Sequence, residues 1–111
     1  MILSMRSKEN EKQESLLLHV KYQAKTGKRE AFLKEILESG ILEQIQKEDG
    51  YLGYAYYCDA VHPDGILLVE EWESKAKQEK HLLTPHMMEL KKIKEHYIAD
   101  TVVREMKISK E

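Results

Sequence analysis

The sequence is poor in cysteine and proline and has no long apolar run. Cys58 is the single cysteine among 111 residues, so an internal disulfide and a zinc cluster built on several thiolates are excluded, and we expect a reducing, cytoplasmic location. The longest apolar run, residues 66–69, is far shorter than the roughly 20 residues that span a bilayer. Met1-Ile2-Leu3 leads into polar residues rather than an apolar signal core. We therefore expect neither a membrane partner nor a secretion signal.

Basic residues are not in excess either. Lys and Arg number 18 against 20 Asp and Glu, for a net charge of −2, which argues against a nucleic-acid partner. Charged residues make up 34% and apolar residues 41% of the chain, enough apolar surface for a packed core beneath a heavily charged exterior. A chain of this length is typical of one domain.

Several familiar cofactor and metal motifs are missing. The five glycines form neither a GxGxxG pattern nor a P-loop, and there is no HExxH, CxxC or EF-hand loop. His81 and His86 are five positions apart, which on one helix would turn them about 140° from each other, and Pro85 lies between them. The spacing therefore predicts no metal site.

Periodicity predicts an N-terminal arm followed by one folded domain. Residues 6–14, RSKENEKQE, offer no apolar side chain to bury, so we interpret residues 1–15 as a mobile arm and residues 16–111 as the domain. From Leu16 to Tyr22 every second residue is apolar, which indicates a strand with one apolar side.

Helical periodicity follows a turn at Thr26-Gly27. Two groups of apolar residues at helical spacing, separated by Ser39-Gly40, predict a helix, a kink and a shorter helix. These residues are Phe32, Leu33, Ile36, Leu37, Ile41, Leu42 and Ile45. After Asp49-Gly50 the aromatic-rich stretch YLGYAYYCDA predicts a second strand.

The second half repeats the alternation. A turn at residues 62–65 joins the second strand to ILLVEEW as a hairpin. Ser74 is a good N-cap for a short helix, and Thr84 with Pro85 begins a longer one. The longer helix has a predicted buried stripe, and a last strand follows it. The stripe is His86, Leu90, Ile93 and Tyr97, and the strand contains Thr101, Val102, Val103, Met106 and Ile108.

This order of elements predicts an α+β fold. Strand, helix, strand, strand, helix, strand is the ferredoxin-like βαββαβ sandwich with a four-stranded antiparallel sheet. Its helices cover one sheet face, yet the third strand is apolar on both faces, with Ile66 and Leu68 on one and Leu67 and Val69 on the other. We therefore expect a homodimer in which a second copy covers the open face.

Three stretches resemble a known family. They are LLLHVKYQAKTGKREAFL, QKEDGYLGYAYY and ILLVEEWESKAKQEKHLLTPHMMEL, and they resemble the antibiotic biosynthesis monooxygenase domain, a quinol-monooxygenase-like family of dimeric α/β barrels, over residues 16–106. The most specific part is residues 70–74 followed by His81-Leu82 and Thr84-Pro85-His86. Residues 48–50 resemble the family's glutamate-proline-glycine turn, with Asp49 where proline is common.

The resemblance implies a homodimer whose sheets form a barrel and which oxidises a small quinol or polyphenol with O₂, without flavin, haem or metal. An electron-rich phenolate can itself pass an electron to O₂. Such a protein need only bind the substrate in an apolar cavity, accept a proton and stabilise the developing charge. The predicted function is thus a cofactor-independent monooxygenase.

On this interpretation Trp72 stacks on the substrate, and His81 or His86 is the base or a hydrogen-bond donor. Each of the three also has a purely structural interpretation. Trp72 could be core packing and His86 a core histidine. His81 lies off the face defined by Ala76 and Leu83, which would leave it in solvent.

Four further residues are candidates for substrate binding: Tyr54, Tyr56, Leu68 and Glu70. The two tyrosines share one face of the second strand, with Tyr51 and Tyr57 on the other, and such ladders also simply stabilise sheets. Glu70 shares a face with Trp72. Burial would raise the pKa of Glu70 and make it an acid or base, whereas an exposed edge charge is the alternative.

Three other functions stay open. The haem-degrading branch of the superfamily uses an asparagine on the first strand, and residues 16–25 contain none, so that branch is disfavoured. A relative that isomerises or degrades a small phosphorylated signalling metabolite shares the His81 to His86 region. A non-enzymatic dimeric small-molecule sensor or stress-response protein would use the same fold. An enclosed cavity reaching Trp72 and His86 would favour an enzyme, and a filled one would favour the structural role.

Overall fold

The computed structural model describes residues 14–109. Eight elements follow one another: β1 (Glu14–Ala24), α1 (Arg29–Ser39), α2 (Ile41–Gln46), β2 (Tyr51–Cys58), β3 (Gly65–Trp72), α3 (Lys75–Leu82), α4 (Pro85–Tyr97) and β4 (Ile98–Ser109). The predicted ferredoxin-like α+β order is confirmed, with each helical segment divided into two helices.

The domain begins slightly earlier than predicted. β1 starts at Glu14, and Ser15 is buried, with its hydroxyl donating to a carboxylate oxygen of Glu71 at 2.7 Å. Ser15 therefore belongs to the sheet and not to an arm. Periodicity of apolar residues does not include this polar residue in the strand, whereas its hydrogen bond to Glu71 on the neighbouring strand does. The rest of the predicted arm, residues 1–13, lies outside the described residues.

The four strands form one antiparallel sheet in the order β2-β3-β1-β4. In its register Trp72 lies opposite Leu16 on one side and Tyr51 on the other, and Glu70 lies opposite Leu18 and Tyr54. Residues paired across a sheet share a face. The register therefore gathers Trp72, Glu70 and Tyr54 on the face that the helices cover.

The core lies between this face and the helices. Its apolar members are Leu16, Leu18, Val20, Tyr22, Ala24, Phe32, Ile36, Ile41, Ile45, Ile66, Leu68, Trp72, Met87, Leu90 and Ile93. The predicted kink between α1 and α2 is present at Gly40, whose φ of 80° is a left-handed conformation that suits glycine. The Ser39 hydroxyl donates to the Ile36 carbonyl and accepts from the Ile41 N–H. None of the helices within residues 14–109 is long and apolar enough to cross a membrane.

Leu83 and Thr84 interrupt the helical conformation between α3 and α4. Ser74 caps α3 as predicted, because its hydroxyl accepts from the Lys77 N–H. Thr84 precedes α4 as predicted, with Pro85 as the first helical residue. The Thr84 hydroxyl, however, donates back to the His81 carbonyl at 2.8 Å rather than capping α4. Thr84 thus ties the end of α3 to the start of α4.

Two local expectations were wrong. A register shift between Tyr51 and Gly53 moves Tyr51 to the helix-covered face, where its ring lies 6.1 Å from that of Trp72. Strict alternation fails there because a bulge adds one residue to one strand. Ala76 in α3 and Leu83 directly after it are exposed, and Gln78 and His81 are buried instead.

The other sheet face has no helix over it within the described chain. Leu67 and Val69 are half-buried there, and Tyr57, Val102 and Met106 are exposed. We call this surface the open face. The predicted apolar character of the third strand on both sides is therefore present, and the open face is where we expect a second copy.

Candidate active site

Glu48 joins the two histidines that the sequence singled out. Its Oε2 atom lies 2.8 Å from His81 Nδ1 and 2.7 Å from His86 Nε2. The Glu48 and His86 side chains keep about a tenth of their surface exposed, at 11% and 10%, and His81 keeps none. We call these three residues the histidine–glutamate cluster. A single carboxylate oxygen serves both rings.

Three separate elements position the cluster. Glu48 lies in the turn between α2 and β2, where its N–H donates to the Ile45 carbonyl. His81 lies near the end of α3, and His86 lies in the first turn of α4. The predicted divergence of about 140° assumed one continuous helix. It does not occur because the break at Leu83 and Thr84 changes the helix direction and lets the two rings converge.

The solvent-exposed interpretation of His81 is wrong. His81 is 1% exposed, and its ring centroid lies 4.4 Å from that of Trp72, with the planes tilted by 35°. The Tyr54 ring lies 5.9 Å away on another side. Trp72 is itself completely buried. An imidazole therefore covers Trp72 in this structure, and stacking of a substrate on Trp72 stays a prediction.

Glu70 is buried at 7% exposure beside these rings. Its Oε1 accepts from the Trp72 indole N–H at 3.1 Å and lies 3.8 Å from His81 Nε2. Burial raises the pKa of Glu70 above its ordinary value of 4.5, and the Trp72 hydrogen bond and the charges of His81 and Lys94 oppose that rise. The expectation that a buried Glu70 would have a raised pKa is confirmed.

The Glu48 carboxylate determines which of the two ring nitrogens of a neutral His81 carries the hydrogen. A carboxylate only accepts hydrogen bonds, so the contact with Glu48 places the hydrogen on His81 Nδ1. Nε2 is then an acceptor. It is buried and has no hydrogen-bond partner within residues 14–109. A buried nitrogen without a partner is uncommon, and this one faces the interior beside Glu70.

Tyrosines surround Glu70 on the sheet. Burial raises the pKa of Tyr22, Tyr54 and Tyr56, and the Glu70 charge raises it further in each case. The Tyr54 and Tyr56 rings lie 5.8 Å apart. Leu68 is completely buried and lies opposite Tyr56 in the sheet. The predicted site residues His81, His86, Trp72, Tyr54, Tyr56, Leu68 and Glu70 thus all lie on the helix-covered face or over it.

Sequence reasoning missed two residues of this region. Glu48 was noted only as part of a turn, although a carboxylate directly before Asp49-Gly50 was a usable signal. Lys94 is absent from the candidates above, although it lies four positions after Leu90 and three before Tyr97 on the predicted buried stripe. A charge on an apolar stripe is the signal that could have identified it.

The histidine–glutamate cluster also offers ligand atoms to a metal. The three atoms lie within 4.8 Å of one another, and two imidazoles with a carboxylate are a set that divalent metals use. The N–O distances of 2.7 and 2.8 Å are hydrogen-bond lengths. They are shorter than the roughly 3.3 Å that separates ligand atoms around tetrahedral zinc with bonds of about 2.0–2.1 Å. The cluster is therefore built as a hydrogen-bonded group.

Three of the cavities within residues 14–109 have volumes of about 700, 340 and 260 Å³. The largest of these three lies over the open face and includes His19, Lys21 and Arg104 in its lining. None of these three is lined by Trp72 or His86. The space between Trp72 and His86 is occupied by His81 and Glu48.

Sequence comparison finds curated relatives. The probable quinol monooxygenase YgiN of Escherichia coli strain K12 is 39% identical over 67 residues, which cover 53% of this chain and 62% of YgiN. The Shigella flexneri protein of the same name matches with the same identity and coverage. The match therefore spans less than two thirds of the length of these relatives.

Solved structures share the fold. A conserved protein from Methanosarcina mazei Go1 superposes with a TM-score of 0.76 at 20% identity, over 86% of this chain and 94% of that one. A Pseudomonas aeruginosa protein superposes with a TM-score of 0.75 at 21% identity and the same coverage.

The family model gives the broadest match along the sequence. The model for antibiotic biosynthesis monooxygenase matches residues 15–92, which include all of β1 except its first residue, β2, β3 and the whole histidine–glutamate cluster. Since this range is more than half of the chain, the protein belongs to the antibiotic biosynthesis monooxygenase family.

Proposed function

We propose that this protein is a monooxygenase that oxidises a small quinol or polyphenol with O₂ and uses no cofactor. The observation that carries the proposal is the orientation of His81. Its Nδ1 is held by Glu48, and its unpartnered Nε2 faces a buried region beside Glu70 and Trp72. A fixed proton acceptor promotes oxidation of a phenol by O₂, because the phenolate gives up an electron more readily than the neutral phenol.

In the proposed reaction the phenolic O–H of the substrate gives its proton to His81 Nε2. The resulting phenolate passes one electron to O₂, and the substrate radical and superoxide combine to form a C–O bond. His81 returns the proton to the outer oxygen of the peroxide. The ring carbon that carries the peroxide then loses its own hydrogen as a proton, the C–H electron pair forms a C=O bond, and the O–O bond breaks, so that the departing hydroxide takes up this second proton and leaves as water. The new oxygen atom stays on the ring as a carbonyl group, or as its hydroxyl tautomer where the quinol's own oxygens become the carbonyl groups of the product. The quinol supplies all the electrons, so no external reductant is needed.

Each remaining site residue has a role in this proposal. Glu48 stabilises the imidazolium that His81 becomes, as a carboxylate does in a catalytic triad. His86 positions Glu48 by donating to the same oxygen. Tyr54 and Tyr56 offer hydroxyl groups to the substrate oxygens, and Leu68 and Trp72 supply apolar contact for its ring. Glu70 binds the substrate through a neutral or ionised carboxyl group.

The family and the curated relatives support the reaction type. YgiN carries the name of a quinol monooxygenase, and its alignment with this chain is the basis for choosing quinols as the substrate class. We also propose that the acting unit is a cytoplasmic homodimer joined through the open face, because half-buried and exposed apolar residues lie there without a helix over them.

Oxygen consumption by the purified protein tests the function. We expect uptake of O₂ above the rate of autoxidation with at least one member of a panel of benzoquinols, naphthoquinols and catechols. The protein is first dialysed against EDTA and checked by absorbance and elemental analysis for flavin and metals. Loss of activity on this treatment, with recovery on adding a metal, would contradict a cofactor-independent reaction.

A non-enzymatic small-molecule-binding dimer is a second candidate. One observation favours it: the space between Trp72 and His86 is filled by side chains. If quinols bind without any O₂ uptake across the panel, this candidate replaces the monooxygenase.

A further inference from the structure

The histidine–glutamate cluster brings two imidazole nitrogens and one carboxylate oxygen together from three separate segments. Glu48 belongs to the turn before β2, His81 to the end of α3 and His86 to the first turn of α4. Their ligand atoms all lie within 4.8 Å of one another. Zinc sites built from two histidines and one glutamate hold the ion with three such atoms and leave a fourth position for water. The cluster therefore has the donor set of a divalent metal site.

Two carboxylates flank the His81 ring. Glu48 Oε2 lies 2.8 Å from His81 Nδ1, and Glu70 Oε1 lies 3.8 Å from His81 Nε2. Within residues 14–109 neither carboxylate forms an ion pair with a lysine or arginine, and the charge of Lys94 acts on Glu70 from beyond ion-pair distance. Buried carboxylates are normally paired with a cation or bound to a metal. A divalent cation at the cluster would supply that positive charge.

The unpartnered nitrogen of His81 also has a role in a metal site. His81 Nε2 is buried and has no hydrogen-bond partner in the described chain. A histidine that binds a metal through one nitrogen usually donates its other N–H to a carboxylate or carbonyl oxygen. If His81 binds a metal through Nδ1, its hydrogen moves to Nε2, where Glu70 Oε1 lies 3.8 Å away and has to approach by about 0.9 Å to accept it. The metal-bound tautomer thus gives this nitrogen a partner.

The ion fits after adjustment of the two more exposed side chains. Tetrahedral zinc holds its ligand atoms about 3.3 Å apart, so the contacts of Glu48 with the two rings have to lengthen by about 0.5–0.6 Å. The two nitrogens, at most 4.8 Å apart, have to approach by about 1.5 Å at most. His81 is fixed between Trp72 and Tyr54, whereas Glu48 and His86 are 11% and 10% exposed. We expect Glu48 and His86 to move, and the solvent side to supply a water as fourth ligand.

We propose that the histidine–glutamate cluster binds one Zn²⁺ ion through His81 Nδ1, His86 Nε2 and Glu48 Oε2, with Glu70 accepting a hydrogen bond from His81 Nε2. The ion replaces the two hydrogens that lie between the rings and Glu48, and each neutral ring carries its hydrogen on its other nitrogen instead. His81 Nε2 then no longer accepts a proton. Zn²⁺ is therefore an inhibitor of the reaction and not its cofactor. This consequence rests on the proposed function, whereas the binding itself does not.

Metal titration of the purified protein tests the site without any turnover. The protein is freed of metal with EDTA, dialysed to remove the EDTA, and titrated with Zn²⁺ in a calorimeter and with Co²⁺ in a spectrophotometer. Tetrahedral Co²⁺ absorbs visible light much more strongly than octahedral Co²⁺, so the spectrum distinguishes the cluster from ions held loosely at the surface. The variants are His81→Gln, His86→Gln and Glu70→Leu. His62→Gln, which changes an exposed histidine, is the matched control.

We expect the wild type and His62→Gln to bind one Zn²⁺ per protomer with the same Kd and to give a tetrahedral Co²⁺ spectrum. His81→Gln and His86→Gln each lose a ligand and should bind Zn²⁺ at least about 100-fold more weakly. Glu70→Leu keeps all three ligands and should bind about 10–100-fold more weakly, because it removes the partner of a ligating histidine. Circular dichroism checks that each variant folds. If His81→Gln does not fold, the partly exposed His86→Gln decides the outcome.

Equal Zn²⁺ affinity in the wild type, His81→Gln and His86→Gln would overturn the proposal. An octahedral Co²⁺ spectrum, or no binding by the wild type at about 1 mM Zn²⁺, would overturn it too. Failure of the monooxygenase function is distinguishable from these outcomes. Zn²⁺ binding that depends on the cluster, without O₂ uptake from any quinol, keeps the site and removes the reaction. Quinol oxidation that continues unchanged at saturating Zn²⁺ keeps the reaction and removes the inhibition.

Discussion

At the scale of single residues, one carboxylate oxygen organises the site. Glu48 Oε2 accepts hydrogen bonds from both His81 and His86. His81 Nε2 is therefore left as an acceptor that faces Glu70. His86 is closer to solvent and turns its Nε2 to Glu48 rather than to the interior. The two histidines therefore have different expected roles, which their residue type alone does not reveal.

Replacing His81 should affect turnover more than replacing His86. His81→Gln keeps a similar volume and removes the proton acceptor, and we expect a fall in the quinol oxidation rate of about 10²-fold or more. His86→Gln should lower the quinol oxidation rate less, because the glutamine amide can still donate a hydrogen bond to Glu48. O₂ uptake measures both, with the exposed His62→Gln as the control. Equal rates in His81→Gln and in the wild type would contradict a base at this position.

Glu70 should make stability depend on pH. Its folded-state pKa is raised above 4.5 by burial, so the folded state binds this proton more tightly than the unfolded state. The resulting stabilisation is fully present below the unfolded-state pKa and is lost as pH rises through the folded-state pKa. We expect the free energy of unfolding of the wild type, relative to Glu70→Gln, to decrease as pH rises above 4.5.

Urea denaturation at a series of pH values from about 4 to about 8 measures this difference. Glu43→Gln, at an exposed position of α2, is the control. If the wild type instead becomes more stable relative to Glu70→Gln as pH rises, the native state prefers the ionised carboxylate.

At the scale of elements, two connections build the site. The break between α3 and α4 brings His81 and His86 together, and the turn between α2 and β2 brings Glu48 to them. Gly50 closes that turn with a φ of 86°, and a Cβ atom there would lie 2.5 Å from Lys77 Cβ. The ion pair between Lys77 and Asp49 fastens the same turn to α3.

Gly50→Ala should therefore be strongly destabilising. We expect a loss of about 2–4 kcal/mol in the free energy of unfolding, from the left-handed conformation and the contact with Lys77 together. Gly27→Ala is the matched control, because Gly27 has a φ of 73° but nothing within 4 Å of the added Cβ. It should lose only about 1–2 kcal/mol. If urea denaturation gives the same loss of unfolding free energy for Gly50→Ala and Gly27→Ala, the contact of the added Cβ atom with Lys77 does not destabilise the protein.

At the scale of the whole molecule, the sheet has one face that its own helices leave uncovered. β4 carries exposed apolar residues on both sides, with Val102 on the open face and Val103 on the helix side. If a second copy packs on the open face, it should bury at least about 1,200 Å² in total. The dimer would then restrict which residues of the 700 Å³ cavity stay in contact with solvent.

Val102→Asp should weaken a dimer that forms through this face. Val102 is 48% exposed, so the change should leave the fold of each protomer intact while it places a charge in the expected interface. Val103→Asp, at a position 52% exposed on the other side of the same strand, is the control. Sedimentation velocity at micromolar concentration measures the outcome. A monomeric wild type would contradict the homodimer.

The sequence by itself determined the order of strands and helices, because apolar periodicity, Gly and Asp-Gly turns and the Ser74 cap are local signals that act within a few residues. The resemblance to the family indicated His81, His86 and Trp72 as candidates, and strand parity grouped Glu70 with Trp72 and Tyr54 with Tyr56. The bulge that moved Tyr51 and the inclusion of Ser15 in β1 depended on strand partners and were not visible locally.

Only the tertiary structure decided how the candidates meet. Glu48, His81 and His86 lie on three separate elements, and their contact through one oxygen follows from the angle between α3 and α4 and from the path of the α2–β2 turn. The burial of His81 against Trp72 and the position of Lys94 over the Tyr22 ring follow from how the helices pack on the sheet. Periodicity gives the face on which a side chain lies, whereas packing between elements that are distant in sequence sets its partners, its burial and its charge.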